Sequence, residues 1–159
     1  MIHFICATFT EAKPIINYFK LKKNLKLDKF NIFNNLQLDI TLTISGIGKL
    51  NSACSVIYTH LHFKKVKSLW INFGIAGHKS YQIGNLIIVN KIVDNTTKEK
   101  FYPFVQTNFN EQATCETYEK ENFNYKKNIV DMEASGFFFA AKKVATLEFI
   151  HSIKIISDN

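Results

Sequence analysis

QLDITLTISGIGKLNSACSVIYTHLHF, residues 37 to 63, changes its period halfway, and that change decides the fold class. From Gln37 to Ile44 the apolar residues Leu38, Ile40, Leu42 and Ile44 alternate with polar ones, the two-residue repeat of a half-buried strand. Ser45-Gly46-Ile47-Gly48 breaks the strand, and Lys49 to about Phe63 reads as a helix. Strand, glycine turn and helix in succession are the working unit of an α/β protein.

The neighbouring segments extend the pattern. Phe30 to Phe33 reads as a strand that joins the 37–44 strand through an Asn34-Asn35 turn, a hairpin. Ile2 to Ala7 is a short apolar run suited to a buried strand. It leads into a helix with Thr10 as N-cap and Pro14 in the first turn. Downstream, Leu69 to Phe73 forms a strand ending in Gly74-Ile75-Ala76-Gly77, and Asn85 to Val93 forms another. Met132 to Val144 is a helix with a broad aromatic and alanine face, and Phe149 to Ile156 is the last strand. The polar, weakly periodic stretch from Asp94 to Asn128 yields no assignment. Strands alternating with helices predict a three-layer α/β/α domain around a central mixed sheet. Without repeats or low-complexity linkers, residues 1–159 read as one domain.

Composition narrows the function. The chain is 47% hydrophobic, with fifteen Phe and six Tyr, so 159 residues can bury a sizeable core. The longest apolar stretches, such as Gly136 to Ala141, fall far short of the roughly 20 residues of a spanning helix. The start, Met-Ile-His-Phe-Ile-Cys-Ala, lacks the basic leader of a secretory signal. Cys6, Cys54 and Cys115 are odd in number and form no Cys-x-x-Cys pair, which predicts reduced thiols in a cytoplasmic protein. His60 and His62 point to different faces of a helix, so no metal site is expected. The net charge of +7 comes from 20 Lys scattered through linking segments, without a single Arg. Such charges are usually solvated, and a nucleic-acid partner is not expected.

The suspicious residues fall where strands end, the place where ligands gather on an open α/β sheet. They are Glu11, the Ser45–Gly48 turn, the Asn72–Gly77 segment, Asp131-Met132-Glu133 and Ser157-Asp158. Taken alone each has a dull reading: glycine turns end strands everywhere, and acids in a first helical turn suit the helix dipole. Gly46-Ile47-Gly48 lacks the third glycine of a dinucleotide fingerprint, and there is no Gly-Lys-Ser/Thr phosphate loop.

Their order is more telling. Ala7-x-x-x-Glu11, Ser45-Gly46-Ile47-Gly48-Lys49, Asn72-x-Gly74-x-Ala76-Gly77, Val130-Asp131-Met132-Glu133-Ala134 and Ile156-Ser157-Asp158 together span nearly the whole chain. In that order they resemble the motifs of the nucleoside phosphorylase/nucleosidase family, particularly its methylthioadenosine/S-adenosylhomocysteine nucleosidase branch. The resemblance implies a phosphorylase/hydrolase-like fold and cleavage of the N-glycosidic bond of a purine-type nucleoside, without a cofactor. It implies that Asp158, oriented by Ser157, shares a proton with the leaving base, and that Glu11 activates water. Glu133 would bind the ribose hydroxyls with Met132 beneath the sugar. Phe9 and Ile47 would line the 5′ side, Ala76 and Gly77 would contact the substrate, and Lys154 stands where the branch carries an Arg near the water. Such proteins are commonly homodimers, so the resemblance implies a homodimer.

Three departures leave alternatives open. Ile75 stands where the family often places Ser, and a chain without Arg lacks the fork that best grips phosphate, so water is favoured over phosphate as nucleophile. Family members continue past Ile-Ser-Asp into a long final helix, whereas the sequence stops at Asn159. A phosphate-dependent phosphorylase, and a catalytically degenerate nucleoside-binding or assembly protein, are the competing readings.

Overall fold

The computed structural model describes residues 1–65, 67–105, 111–125 and 127–159. Its strands are β1 (Ile2–Cys6), β2 (Lys22–Lys23), β3 (Asn31–Asn35), β4 (Ile40–Ile44), β5 (Leu69–Gly77), β6 (Leu86–Asp94), β7 (Lys100–Phe101), β8 (Gln112–Thr117), β9 (Ile129–Asp131) and β10 (Ile150–Asp158). The helices are α1 (Phe9–Tyr18), α2 (Lys49–His62) and α3 (Ala134–Ala141). β1 lies parallel between β4 and β5, and β5 runs parallel to β10 along its length. β10 is antiparallel to β6, β6 and β9 flank β8 in parallel, and β9 returns to β5 at Gly77. These five strands therefore close into a ring, with β4, β3 and β2 extending the sheet beyond β1.

The helices cover both faces. Ile5, Trp70, Ile87, Ile129 and Ile156 pack with Val56 of α2 and Phe137 and Phe138 of α3. Cys6, Ile40 and Leu42 pack with Ala12 and Ile15 of α1 on the opposite side. Three layers around a mixed sheet result, as the sequence predicts.

Double coverage explains why β4 misled the reading of its alternation. Ile40 and Leu42 meet α1, but Thr41 and Thr43 are buried too, not solvated. Thr43 shares a 2.7 Å hydrogen bond with Thr59 of α2, and Thr41 one of 2.6 Å with His3. A buried hydroxyl is tolerated once paired.

Other boundaries shift for identifiable reasons. Thr8, not Thr10, caps α1: its side chain accepts from the Glu11 N–H and Glu11 reaches back to the Thr8 N–H, a reciprocal capping box. Pro14 consequently sits inside the helix. Asn34 and Asn35 are strand residues, and the hairpin turns later, with Asp39 at φ 55° and the Asn35 side chain accepting from the N–H groups of Gln37 and Leu38. β5 runs straight through Gly74–Gly77, and β10 carries on through Ser157 and Asp158. α3 begins at Ala134, with Glu133 at its cap.

Candidate active site

Five chain segments meet around one cavity of about 280 Å³. Its wall includes Glu11 from α1, Ile47 from the turn before α2, Ile75, Ala76 and Gly77 from β5, Asp131 from the end of β9, Met132 and Glu133 from the link to α3, and Ser157 and Asp158 from β10. The three carboxylates singled out in the sequence thus share one space. Glu121, Asn122, Phe123 and Tyr125 form the remaining side.

Glu11 is pinned by three donors. Oε2 accepts from the Thr8 N–H (2.6 Å) and hydroxyl (2.9 Å), and Oε1 from the Ile75 N–H (3.0 Å). A Cβ on Gly74 would stand 2.8 Å from Glu11 Oε1, so any larger residue there would push the carboxylate out of this position.

Glu133 is almost wholly buried and accepts from the Gly48 N–H at 2.8 Å. Burial, followed by the neighbouring charge of Asp131, pushes its carboxyl above the usual range. Asp131 accepts from the Thr117 hydroxyl (2.7 Å) and the Ala134 N–H (2.8 Å), and pairs with Lys154 Nζ at 2.7 Å. Burial pulls the Lys154 ammonium down, but the charges of Asp131 and Glu133 outweigh it and hold the group above the ordinary lysine range.

Asp158 faces Gly77 across β10 and β5, beside a register shift that leaves Ser157 unpaired in the ladder. The Ser157 hydroxyl donates to Asp158 Oδ1, and the Tyr125 hydroxyl to Oδ2. Burial and that contact push the Tyr125 phenol up to about 12.

Two sequence candidates lie off the wall. Lys154 is sealed behind it, 1% exposed, so it acts on the site only through its neighbours. Phe9 is half exposed and turns toward Phe33, with ring centroids 6.1 Å apart. Asn72 is structural: it links the β1 carbonyl of Ile5 with Ser152 of β10. Sequence reasoning missed Thr8 and the 121–125 segment. Alternating capping signals could have found Thr8, but nothing periodic marks Phe123 or Tyr125. Among the described residues, five acids line the cavity and no Lys or His does, and no cluster of His, Cys, Asp and Glu is arranged to hold a metal ion. Among the described residues, no helix is long and apolar enough to cross a membrane.

No family model matches the sequence, and no curated protein is similar to it at the sequence level. Solved structures are similar in fold. A 5′-methylthioadenosine/S-adenosylhomocysteine nucleosidase from Neisseria meningitidis, in complex with methylthio-immucillin-A, superposes with a TM-score of 0.80 at 18% identity, covering 99% of this chain and 85% of that one. A futalosine hydrolase mutant from Helicobacter pylori gives 0.78 at 16% identity, covering 98% and 89%. A Streptococcus pneumoniae MTA/SAH nucleosidase in complex with 8-aminoadenine gives 0.76 at 20%, covering 99% and 85%. The fold is therefore the one these nucleoside-cleaving enzymes share.

Proposed function

We propose that the chain is a nucleosidase of this fold class, hydrolysing the N-glycosidic bond of a purine-type nucleoside related to methylthioadenosine or S-adenosylhomocysteine. The observation that carries the reading is the convergence of Glu11, Glu133 and Asp158 on one cavity. Glu133, at the α3 cap, binds the sugar hydroxyls over Met132. Asp158, held by Ser157, shares a proton with the departing base. Glu11, fixed by its three donors, orients and deprotonates the water. Phe123, 70% exposed at the cavity edge, offers its ring to the base. Lys154 serves from behind the wall by balancing Asp131 and Glu133, while Ile47, Ala76 and Gly77 shape the space around the substrate.

The acid-rich lining supports water over phosphate. Bond cleavage builds positive charge on the sugar, which surrounding carboxylates stabilise, whereas a phosphate dianion would meet the same charges unfavourably. The exposed apolar stripe Leu50, Cys54, Ile57 and Leu61 on α2, beside Phe139, supports a homodimer. Free thiols at Cys6, Cys54 and Cys115 agree with a cytoplasmic setting.

The test is incubation of the purified protein with methylthioadenosine, S-adenosylhomocysteine, adenosine and inosine, with and without phosphate. Base release without phosphate is the expected result. A strict phosphate requirement would overturn the hydrolytic reading, and ligand binding without any base release would favour a degenerate binding protein.

A further inference from the structure

Lys49 does not line the cavity, yet it joins segments that do. Its Nζ lies 3.2 and 3.0 Å from the two oxygens of Asp94 and 3.2 Å from Glu119 Oε1. Asp94 is buried. Its Oδ2 also accepts from the Ser135 hydroxyl (2.8 Å), and its Oδ1 from the N–H groups of Thr96 and Thr97 (2.9 Å each). Ser135 is two residues beyond Glu133, and its own N–H donates to Thr117 Oγ1 at 3.1 Å.

The hydrogen bond from the Gly48 N–H to Glu133 Oε1 therefore has both of its ends tied to one carboxylate. Gly48 is one residue from Lys49, Glu133 is two from Ser135, and Lys49 and Ser135 both bind Asp94. Gly136 adds a backbone restraint, because a Cβ there would collide with the Lys49 carbonyl, so α2 and α3 meet main chain to main chain at their starts. Glu119 extends the same hub to the stretch that leads into residues 121–125 of the cavity wall.

We propose that Lys49 is a positioning residue, which through Asp94 and Ser135 holds the Gly48 N–H and the Glu133 carboxylate in the geometry that grips vicinal sugar hydroxyls. This rests on the reading of Glu133 as the sugar-binding group. A small displacement of a positioned group costs up to about 100-fold in rate. A purely structural ion pair would change stability and leave the folded protein's selectivity alone.

The test is the ratio of kcat/KM for a ribonucleoside to that for its 2′,3′-dideoxy counterpart, measured on the intact protein and its variants. Glu133→Gln should collapse the ratio. Lys49→Met should lower it by about 10-fold, mainly through loss of the ribonucleoside reaction, and Lys49→Arg should restore most of it. Ser135→Ala, which cuts the opposite arm of the clamp while leaving the ion pair, should lower the ratio by about 3-fold and covers the case in which Lys49→Met does not fold. A ratio unchanged in Lys49→Met or Ser135→Ala, with both substrates slowed equally, overturns the clamp while sparing the assignment of Glu133. A ratio unchanged in Glu133→Gln overturns that assignment and the clamp with it.

Discussion

Replacing Lys154 with Met removes a positive charge from a place water does not reach. Its Nζ is 2.7 Å from Asp131 Oδ2, with the two side chains 1% and 0% exposed. After the substitution Asp131 keeps two donors, the Thr117 hydroxyl and the Ala134 N–H, but no counter-charge. Breaking one side of a buried pair costs about 3–5 kcal/mol, and the two surviving donors place the expected loss near 3 kcal/mol. Urea unfolding at pH 7 measures it. Adding Asp131→Asn removes the stranded charge and should recover about half of that loss, without returning activity, because Glu133 would still lack its cationic neighbour. The sign of the pH dependence is fixed as well. A cation held above its ordinary value contributes fully below its unfolded value of about 10.4 and fades only as pH climbs past it. The difference between wild type and Lys154→Met should thus stay flat from about pH 6 to 9. A loss below about 1 kcal/mol, or a double variant weaker than the single one, would refute the account of the pair as an uncompensated buried charge.

Three further outcomes follow from the same structure. His3 is fully buried against Trp70, and burial, then the N-terminal ammonium and His60, hold it down to about 3. Stability should be complete above its unfolded value of about 6.5 and fall by about 1.4 kcal/mol per pH unit as pH drops from there toward 3. His3→Gln should flatten that slope between about pH 6 and 5 in denaturant titrations, and an identical slope would contradict a neutral buried ring. Gly136→Ala drives a methyl into the Lys49 carbonyl and should cost about 3 kcal/mol, read as a lowered Tm; an unchanged Tm would argue against the close approach of α2 and α3. Asp158→Asn should lose turnover far more than affinity for a nucleoside analogue, because a shared proton matters only as the bond breaks, and equal losses of both would count against that role.

Much of the fold was legible because strand–turn–helix punctuation is local. The 37–63 stretch announced its strand, glycine turn and helix, and all three are present with ends displaced by a few residues. What the alternation of β4 could not reveal was coverage on both faces. A threonine paired with His3 or Thr59 looks, in sequence, like one facing water. β2, β7, β8 and β9 were missed for a related reason: two- and three-residue strands, and strands of mixed polarity such as Gln112–Thr117, owe their conformation to partners remote in the chain.

The site divides along the same line. Glu11, Ile47, Ala76, Gly77, Met132, Glu133, Ser157 and Asp158 reach the cavity from short, ordered motifs whose backbone is set nearby, and the family resemblance carried by their order is what gathered them. Glu121, Asn122, Phe123 and Tyr125 reach it from a polar segment without period, and only the closure of the ring through β8 and β9 brings them over Gly77. Gly77 has no Cβ to oppose the Tyr125 ring, so the glycine that ends the Asn72–Gly77 motif is also what admits the unreadable segment. Lys154 shows the converse. Its motif position suggests a residue at the reacting water, but Asp131, fixed by Thr117 and Ala134, draws the ammonium behind the wall. A motif can place a residue next to a cavity; the strongest counter-charge within reach decides on which side of the wall its side chain ends.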